Sequence, residues 1–388
     1  MAYTVLARRY RSQSFDEVVG QEAIARTLTN AIAQNRVAHA YLFVGTRGVG
    51  KTTMARLFAR ALAGGSPEVD QLIMAGQDTD VIEIDAASNR DVESARDLIA
   101  NCGYRPLRGK KKVYIIDEVH MLTRESFNTL LKTLEEPPEH VVFILCTTEA
   151  HKVLPTIQSR CQRFDFRNLG AAEIAGHLKA VCKEEKVKAD DALLHALGRL
   201  GNGSMRDALS ILDRLIAARE GSAGLTLELL ESVLGLPKRE RLGAMVDALA
   251  SSDAKSALEI SDSLLSGGVT GEQLTQSLVE HLRDLLILRT CGDETNLVEL
   301  TPESRASMVE QARKFDPASL VHMIALCESA ARMASMSGTP RAVLDAMLVR
   351  LAMTEAVADV AALLSGRGGG AAPGAAAPAP RSAPPKKR

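Results

Sequence analysis

The segment GTRGVGKT, Gly45 to Thr52, constrains this chain more than any other. It fits the pattern G-x-x-x-x-G-K-[ST], a loop that works only between a strand and a helix. Both neighbours are legible. AYLFVG, Ala40 to Gly45, is a short apolar run closed by glycine, which predicts a buried strand, and helical spacing starts at Lys51. The glycines let backbone N–H groups turn inward around phosphate oxygens, and the helix N-terminus adds the positive end of its dipole. Lys51 is expected to reach the β- and γ-phosphates of a nucleotide, and Thr52 to offer its hydroxyl to Mg²⁺. The predicted nucleotide contacts are Gly45, Thr46, Arg47, Gly48, Val49, Gly50, Lys51, Thr52 and Thr53.

The rest of the first domain follows the same alternation. Apolar runs recur at Val81–Ile84, Val113–Ile116 and Val141–Thr147, separated by helical pattern at Ser94–Ala100 and Ser126–Leu134; Ile24, Leu28 and Ile32 mark an earlier amphipathic helix. Strands apolar on both faces that alternate with helices predict a parallel sheet covered by helices. Beyond Gly170 the strand pattern stops and helical periodicity takes over. It breaks at Gly201–Ser204, Gly221–Gly224, Leu234–Lys238 and Ser266–Gly271. The expected organisation is an α/β P-loop domain over 1–168, a small helical domain over 169–236 and an all-α domain over 237–364. A Gly/Ala/Pro tail with a basic end, 365–388, cannot build a core.

VYIIDEVH, Val113 to His120, is an apolar strand that ends in two acids. Asp117 is placed to hold the Mg²⁺ shell at the carboxyl end of the strand, where α/β sheets bind ligands. Glu118 is placed to orient or deprotonate an attacking water. A chain that only bound nucleotide would not need Glu118, so hydrolysis is the expected chemistry. Thr147 and Thr148 close another buried strand beside the expected γ-phosphate, where a hydroxyl orients water or a threonine simply suits a strand. Arg160 in QSRC reads from spacing as a surface arginine, with an arginine finger supplied in trans as the alternative.

Composition narrows the rest. Lys and Arg number 47 against 48 Asp and Glu, so contact with nucleic acid needs a local basic surface. Aromatics are 3% and tryptophan is absent, which disfavours base stacking as the main mode of such contact. The six cysteines are scattered with no C-x-x-C pair, as expected of free thiols in a reducing compartment, and zinc is not expected. With no apolar stretch of membrane-span length and no apolar signal core after Met1, the expected place is the cytoplasm, with no membrane partner.

Several segments together carry a resemblance. They are VLARRYRSQSFDEVVGQE, AYLFVGTRGVGKTTMARLFARAL, VIEIDAASNRDVESARDL, KVYIIDEVHMLTRESFNTLLKTLEEPPEHVVFILCTTE, VLPTIQSRCQRFDF and GSMRDALSILD. Over about residues 4–215 the chain resembles the gamma/tau subunits of the bacterial DNA polymerase III clamp loader, AAA+ ATPases that bind ATP with Mg²⁺. The resemblance implies that Thr148 is the sensor-1 residue, Arg160 the finger offered to a neighbouring subunit and Arg206 the sensor-2 residue of the lid. It also implies that Arg8, Tyr10, Val18 and Val19 border the adenine. The implied partners are delta, delta-prime and further gamma/tau copies, the sliding clamp and primer–template DNA, and the implied task is opening the clamp and loading it at the replication fork.

The chain departs from the family in two places. The four-cysteine zinc module expected between the helix after the phosphate loop and the next strand is replaced by Gly64–Asp80, which contains no cysteine, and the long extension of tau forms is missing. The chain therefore resembles a short gamma form, and tethering of polymerases is not implied. For DNA, Asn89 and Arg90 at a helix start suit phosphate, while Arg105, Arg108, Lys110, Lys111 and Lys112 are either a second basic surface or a solvated loop. Two rivals are a stator-like subunit without turnover and a stand-alone AAA+ translocase. Intact Gly50, Lys51, Thr52, Asp117 and Glu118 disfavour the first, and the Ser-Arg-Cys and LEEPPE segments the second.

Overall fold

The computed structural model describes residues 4–354 apart from Gly64, Arg90, Asp91, Ser222, Asn296, Glu299 and Thr301. The chain divides into two compact units between Val233 and Leu234. The first is built on a sheet of five parallel strands: β1 (Ala40–Val44), β2 (Val81–Asp85), β3 (Lys112–Asp117), β4 (Val141–Thr147) and β5 (Gln162–Asp165). Their order is β2-β3-β4-β1-β5. Val44 pairs with Thr147 and Ile116 with Leu145, so β1, β3 and β4 end at one level, and that edge carries the phosphate loop and both acids.

Alternation along the strands fills two cores. Tyr41, Phe43, Ile115 and Ile144 face one side and pack with Leu28 of helix α2 (Glu22–Ala33) and with Met54, Leu57 and Phe58 of α3 (Lys51–Ala63), all 0% exposed. Leu42, Tyr114, Phe143 and Leu145 face the other, against Leu98 of α5 (Val92–Cys102) and Leu130 and Leu134 of α6 (Arg124–Glu135). Residues of β1, β3 and β4 therefore lose their apolar surface to helices whichever way they point, which is why the apolar runs within them lack polar interruption. The short α1 (Leu6–Arg9) precedes α2, and Leu6 N donates to Asp213.

Two elements escape the sequence reading. α4 (Pro67–Ala75) occupies the segment without cysteines, with Pro67 in its first turn and Gly76, at φ 72°, closing it in the left-handed region. β5 is an edge strand with three of its four residues exposed, so it shows no apolar run; pairing with Tyr41–Val44 of β1 makes it a strand. After it, α7 (Pro155–Gln158) having preceded it, three helices form a small bundle: α8 (Ala171–Glu184), α9 (Asp191–Leu200) and α10 (Met205–Ala218). Ser204 caps α10 by accepting from Asp207 N. A further helix, α11, spans Leu227–Leu234.

The second unit is all-helical among the described residues: α12 (Arg239–Ala250), α13 (Ala254–Ser266), α14 (Gly271–Cys291), α15 (Pro302–Ala312), α16 (Pro317–Met336) and α17 (Pro340–Ala352). Its core centres on Met245, Leu278, Leu282, Leu320 and Leu348. The expected tail, 365–388, lies outside the described residues. Among the described residues no helix is long and apolar enough to cross a membrane.

Candidate active site

The phosphate loop leaves β1 and bends twice through the left-handed region, at Gly48 (φ 80°) and Gly50 (φ 102°), before α3 starts at Lys51. A side chain at either position would be strained, which is why glycine stands there. Lys51 is buried, and its Nζ donates to the carbonyls of Gly45 at 2.7 Å and Thr46 at 2.8 Å. Burial lowers the Lys51 pKa, with Glu118 and Asp117 among the groups opposing it. The ammonium is thus fixed at the mouth of the loop rather than free to roam on four methylenes.

The acids at the end of β3 do different things. Thr52 Oγ1 donates to Asp117 Oδ2 at 2.8 Å, bringing a hydroxyl and a carboxylate together from two elements. Burial pushes the Asp117 carboxyl above its usual value, partly countered by the Thr52 hydrogen bond. Glu118 itself sits at φ 48°, uncommon for a residue with a side chain. Its amide donates to Asp117 Oδ1 at 3.0 Å, and its Oε2 accepts from Thr148 N at 3.3 Å and Thr148 Oγ1 at 3.1 Å. The backbone turn swings Glu118 away from β3 toward the end of β4.

These groups open on a cleft of about 670 Å³ within the first unit. Its lining includes Arg8, Tyr10, Val18, Val19, Thr53 and Glu118, and from the helical bundle Arg206. Tyr10 is held by its hydroxyl on Glu185, and burial pushes its phenol up to about 12. Arg206 reaches the cleft because α10 starts on the phosphate loop: Met205 N donates to Gly48 O at 3.1 Å. Thr46 adds a second tie, its hydroxyl donating to Asn168 at 2.6 Å. Gly45 and Thr46 contribute carbonyls to Lys51, while Thr46 turns its own side chain away to Asn168.

Sequence reasoning missed three residues here. Arg11 lines the cleft, and burial, with Arg56 nearby, brings its guanidinium down to about 10. Arg56, one turn beyond Thr52 on α3, is clamped by Glu83 at 2.6 and 2.8 Å. Ser204 packs against Gly48, where a Cβ would stand 2.0 Å from its Oγ. Spacing from the phosphate loop, four residues after Thr52, is the available signal for Arg56; Ser204, a serine just before a helical run, is legible as a cap but not as a neighbour of Gly48.

Other predicted residues lie apart. Arg160 is on the surface, its guanidinium on Glu135 at 2.6 Å and Thr156 O at 2.7 Å, and it does not line its own chain's cleft. Asn89 is exposed and its amide donates to Asp85 O at 3.0 Å; Arg90 lies outside the described residues. The basic run is not one solvated surface. Lys112 is buried with Nζ on Asn101 O at 2.8 Å, and Lys111 bonds Glu139 O at 2.6 Å. The loop before β3 is anchored by Asp80, which accepts from the amides of Leu107, Arg108 and Gly109 at 2.7, 2.8 and 3.2 Å. Burial opposes the charge on Asp80, yet these donors hold its pKa below the ordinary value.

Chemically, the arrangement offers one fixed cation, a hydroxyl–carboxylate pair of hard oxygens and a second carboxylate beside them. A divalent cation of the Mg²⁺ kind takes one or two protein oxygens and completes its shell from phosphates, so Thr52 and Asp117 fit it. Among the described residues no group of three or more His, Cys, Asp or Glu forms a metal cage.

Comparison with known proteins gives matches along most of the chain. Residues 20–170 match the family model for the DNA polymerase III delta subunit, 173–221 that for the ATPase lid domain of the DNA polymerase III clamp loader subunit, and 225–365 that for domain III of DNA polymerase III subunits gamma and tau. The chain is 36% identical to DNA polymerase III subunit tau of Bacillus subtilis over 365 residues, covering 91% of this chain and 64% of that one. It is 37% identical to the gamma subunit of Buchnera aphidicola over 299 residues, covering 75% of this chain and 82% of that one. The chain thus spans less than two thirds of the Bacillus protein's length. Among solved structures, the RuvB Holliday junction branch migration motor of Thermotoga maritima aligns with a TM-score of 0.47 at 18% identity, covering 62% of this chain and 78% of that one.

Proposed function

The chain belongs to the DNA polymerase III gamma/tau family of clamp-loader subunits, and on that premise we propose that it is an ATP-hydrolysing motor subunit that opens a sliding clamp and loads it on primed DNA. The observation that carries the reading is the Thr52–Asp117 pair at 2.8 Å with Glu118 next to it on one cleft. A nucleotide-binding stator would need the loop but not the second acid.

In this reading the triphosphate lies along the amides of Gly48 to Thr52, with Lys51 against its β- and γ-oxygens. Mg²⁺ held by Thr52 and Asp117 would neutralise phosphate charge. Glu118 orients the attacking water and draws its proton, with Thr148 fixing the carboxylate through Oε2. Arg206 carries the lid's response to the phosphates, since its helix starts on the loop that wraps them. Arg8, Tyr10, Val18 and Val19 border the base. Arg160 does not line this cleft and serves a neighbour's. The proposed domain scheme is a P-loop domain over 1–168, a lid over 169–236 and an oligomerising helical domain over 237–364. Delta, delta-prime, further gamma/tau copies, the clamp and primer–template DNA are the proposed partners, with Asn89 and Arg90 at the DNA.

The match of residues 20–170 to a delta-subunit model favours a second reading, a subunit that organises the assembly without turnover. Steady-state ATP hydrolysis separates the two. The chain is assembled with delta and delta-prime, with and without clamp and primed DNA, beside Glu118→Gln. Stimulation by clamp plus DNA that disappears in the variant supports the motor; no turnover supports the organiser.

A further inference from the structure

One buried side chain beside Glu118 has no part in that mechanism. His120 stands in the single turn Val119–Met121 directly after Glu118, and its side chain is 6% exposed. Both edges of the ring are engaged. Nδ1 lies 3.1 Å from Thr147 Oγ1 and 3.4 Å from Glu118 Oε2, and Nε2 lies 3.1 Å from Glu149 Oε2. Thr147 is itself fully buried, and its Oγ1 accepts from Glu149 N at 3.0 Å. Glu149 is tied outward to Lys152 at 2.8 Å.

Glu118 needs such support. Its carboxylate hangs on three rotatable bonds from a backbone in the left-handed region, and its side chain is 29% exposed. A general base works only when it stays within hydrogen-bond reach of the proton it takes. Thr148 holds Oε2 from one side through a hydroxyl that can itself rotate. His120 is a rigid ring clamped at its far edge, so it limits where that same oxygen can go. Filling space alone would require no polar partner at either ring nitrogen.

We propose that His120 is a positioning residue for hydrolysis, a ring braced by Thr147 and Glu149 that fixes the Glu118 carboxylate toward the attacking water. This rests on the reading of Glu118 as the base. His120 touches neither substrate nor metal in this scheme and acts through Glu118 alone.

The test uses the full chain assembled with delta and delta-prime, with MgATP, in four forms beside wild type: Glu118→Gln, His120→Leu, His120→Asn and the Glu118→Gln/His120→Leu double variant. His120→Leu is expected to lower kcat roughly tenfold or more while KM and nucleotide affinity stay within about twofold. His120→Asn keeps a hydrogen-bonding group near the Nδ1 position and recovers most of the loss. The double variant is no slower than Glu118→Gln alone, because a residue acting through Glu118 has nothing left to position. A wild-type kcat in His120→Leu overturns the inference, as does a double variant slowed by the full additional factor. So does an equal fall in His120→Asn and His120→Leu with a matching loss of thermal stability. Full hydrolysis by Glu118→Gln sinks the reading of the base instead, and no hydrolysis by the wild-type assembly sinks both.

Discussion

Gly48 and Ser204 stand so close that a Cβ built on Gly48 would meet Ser204 Oγ at 2.0 Å. One belongs to the phosphate loop and the other is the cap of α10, the helix that brings Arg206 to the cleft. The lid therefore rests on the loop through a contact that no side chain at position 48 permits.

Gly48→Ala tests that contact. The alanine must adopt φ 80° and push Ser204 aside, which also pulls its Oγ from Asp207 N. Strain, overlap and loss of the cap together are expected to cost about 2–4 kcal/mol. Nucleotide affinity, measured by titration, falls with it. A variant that melts and binds like wild type would show that the lid is not seated on Gly48.

Asp117 sets the metal-holding role proposed for it against a cost to the fold. Burial raises its pKa above the ordinary 3.8. Stability from its proton is fully present below 3.8 and lost as pH rises through the higher folded value, so at pH 7 the ionised carboxylate opposes folding. Asp117→Asn keeps an acceptor and a donor in the same outline. Nucleotide-free, it is expected to melt about 2–4 °C higher than wild type. Mg²⁺-dependent hydrolysis is lost. A lower melting temperature at pH 7 would contradict the account.

What the sequence discloses and what it hides follow from range. The loop from Gly45 to Thr52 and the acids 117 and 118 are local patterns, because the runs Ala40–Val44 and Val113–Ile116 that lead into them are apolar and the two left-handed turns of the loop fall on Gly48 and Gly50, whereas the left-handed backbone of Glu118 leaves no such mark. β5 is hidden because Gln162, Arg163 and Asp165 face solvent, and only pairing with β1 makes them a strand. Lys112 counts as basic surface by composition, yet it starts a buried strand and gives its ammonium to Asn101. His120 and Ser204 act through partners brought together by the fold, His120 on Glu149 and Ser204 on Gly48, and periodicity carries no information about such pairs.

Glu173 gives a pH dependence of the opposite sign. Arg167 holds it at 2.6 and 2.8 Å, and Gly170 N donates to it as well, so its carboxyl drops from 4.5 to about 2. The stabilisation is fully present above 4.5 and disappears as pH falls through about 2. The side chains are 53% and 35% exposed, so water screens the pair and the contribution is under about 1 kcal/mol. Denaturant melts of wild type and Glu173→Gln are expected to differ at pH 7 and converge by pH 2. Parallel acid limbs would remove the pair from the acid response.

Arg160 is engaged with Glu135 at 2.6 Å, with side-chain exposures of 33% and 50%. An ion pair that exposed is worth about 0–1 kcal/mol, so it orders the guanidinium without preventing its transfer to a stronger anion. A neighbour's γ-phosphate, carrying more charge at a less hydrated site, is such an anion. Arg160→Ala is then expected to leave the melting temperature and nucleotide affinity of the isolated chain within error. Within the assembly it should lower turnover by roughly 10³-fold, as removal of an arginine finger does. Mixing Arg160→Ala chains with Glu118→Gln chains gives a further check: the two slow forms together should recover part of the activity, because an intact site on the first then meets an intact arginine on the second. No recovery, or weakened binding in the isolated chain, would remove Arg160 from a role in trans.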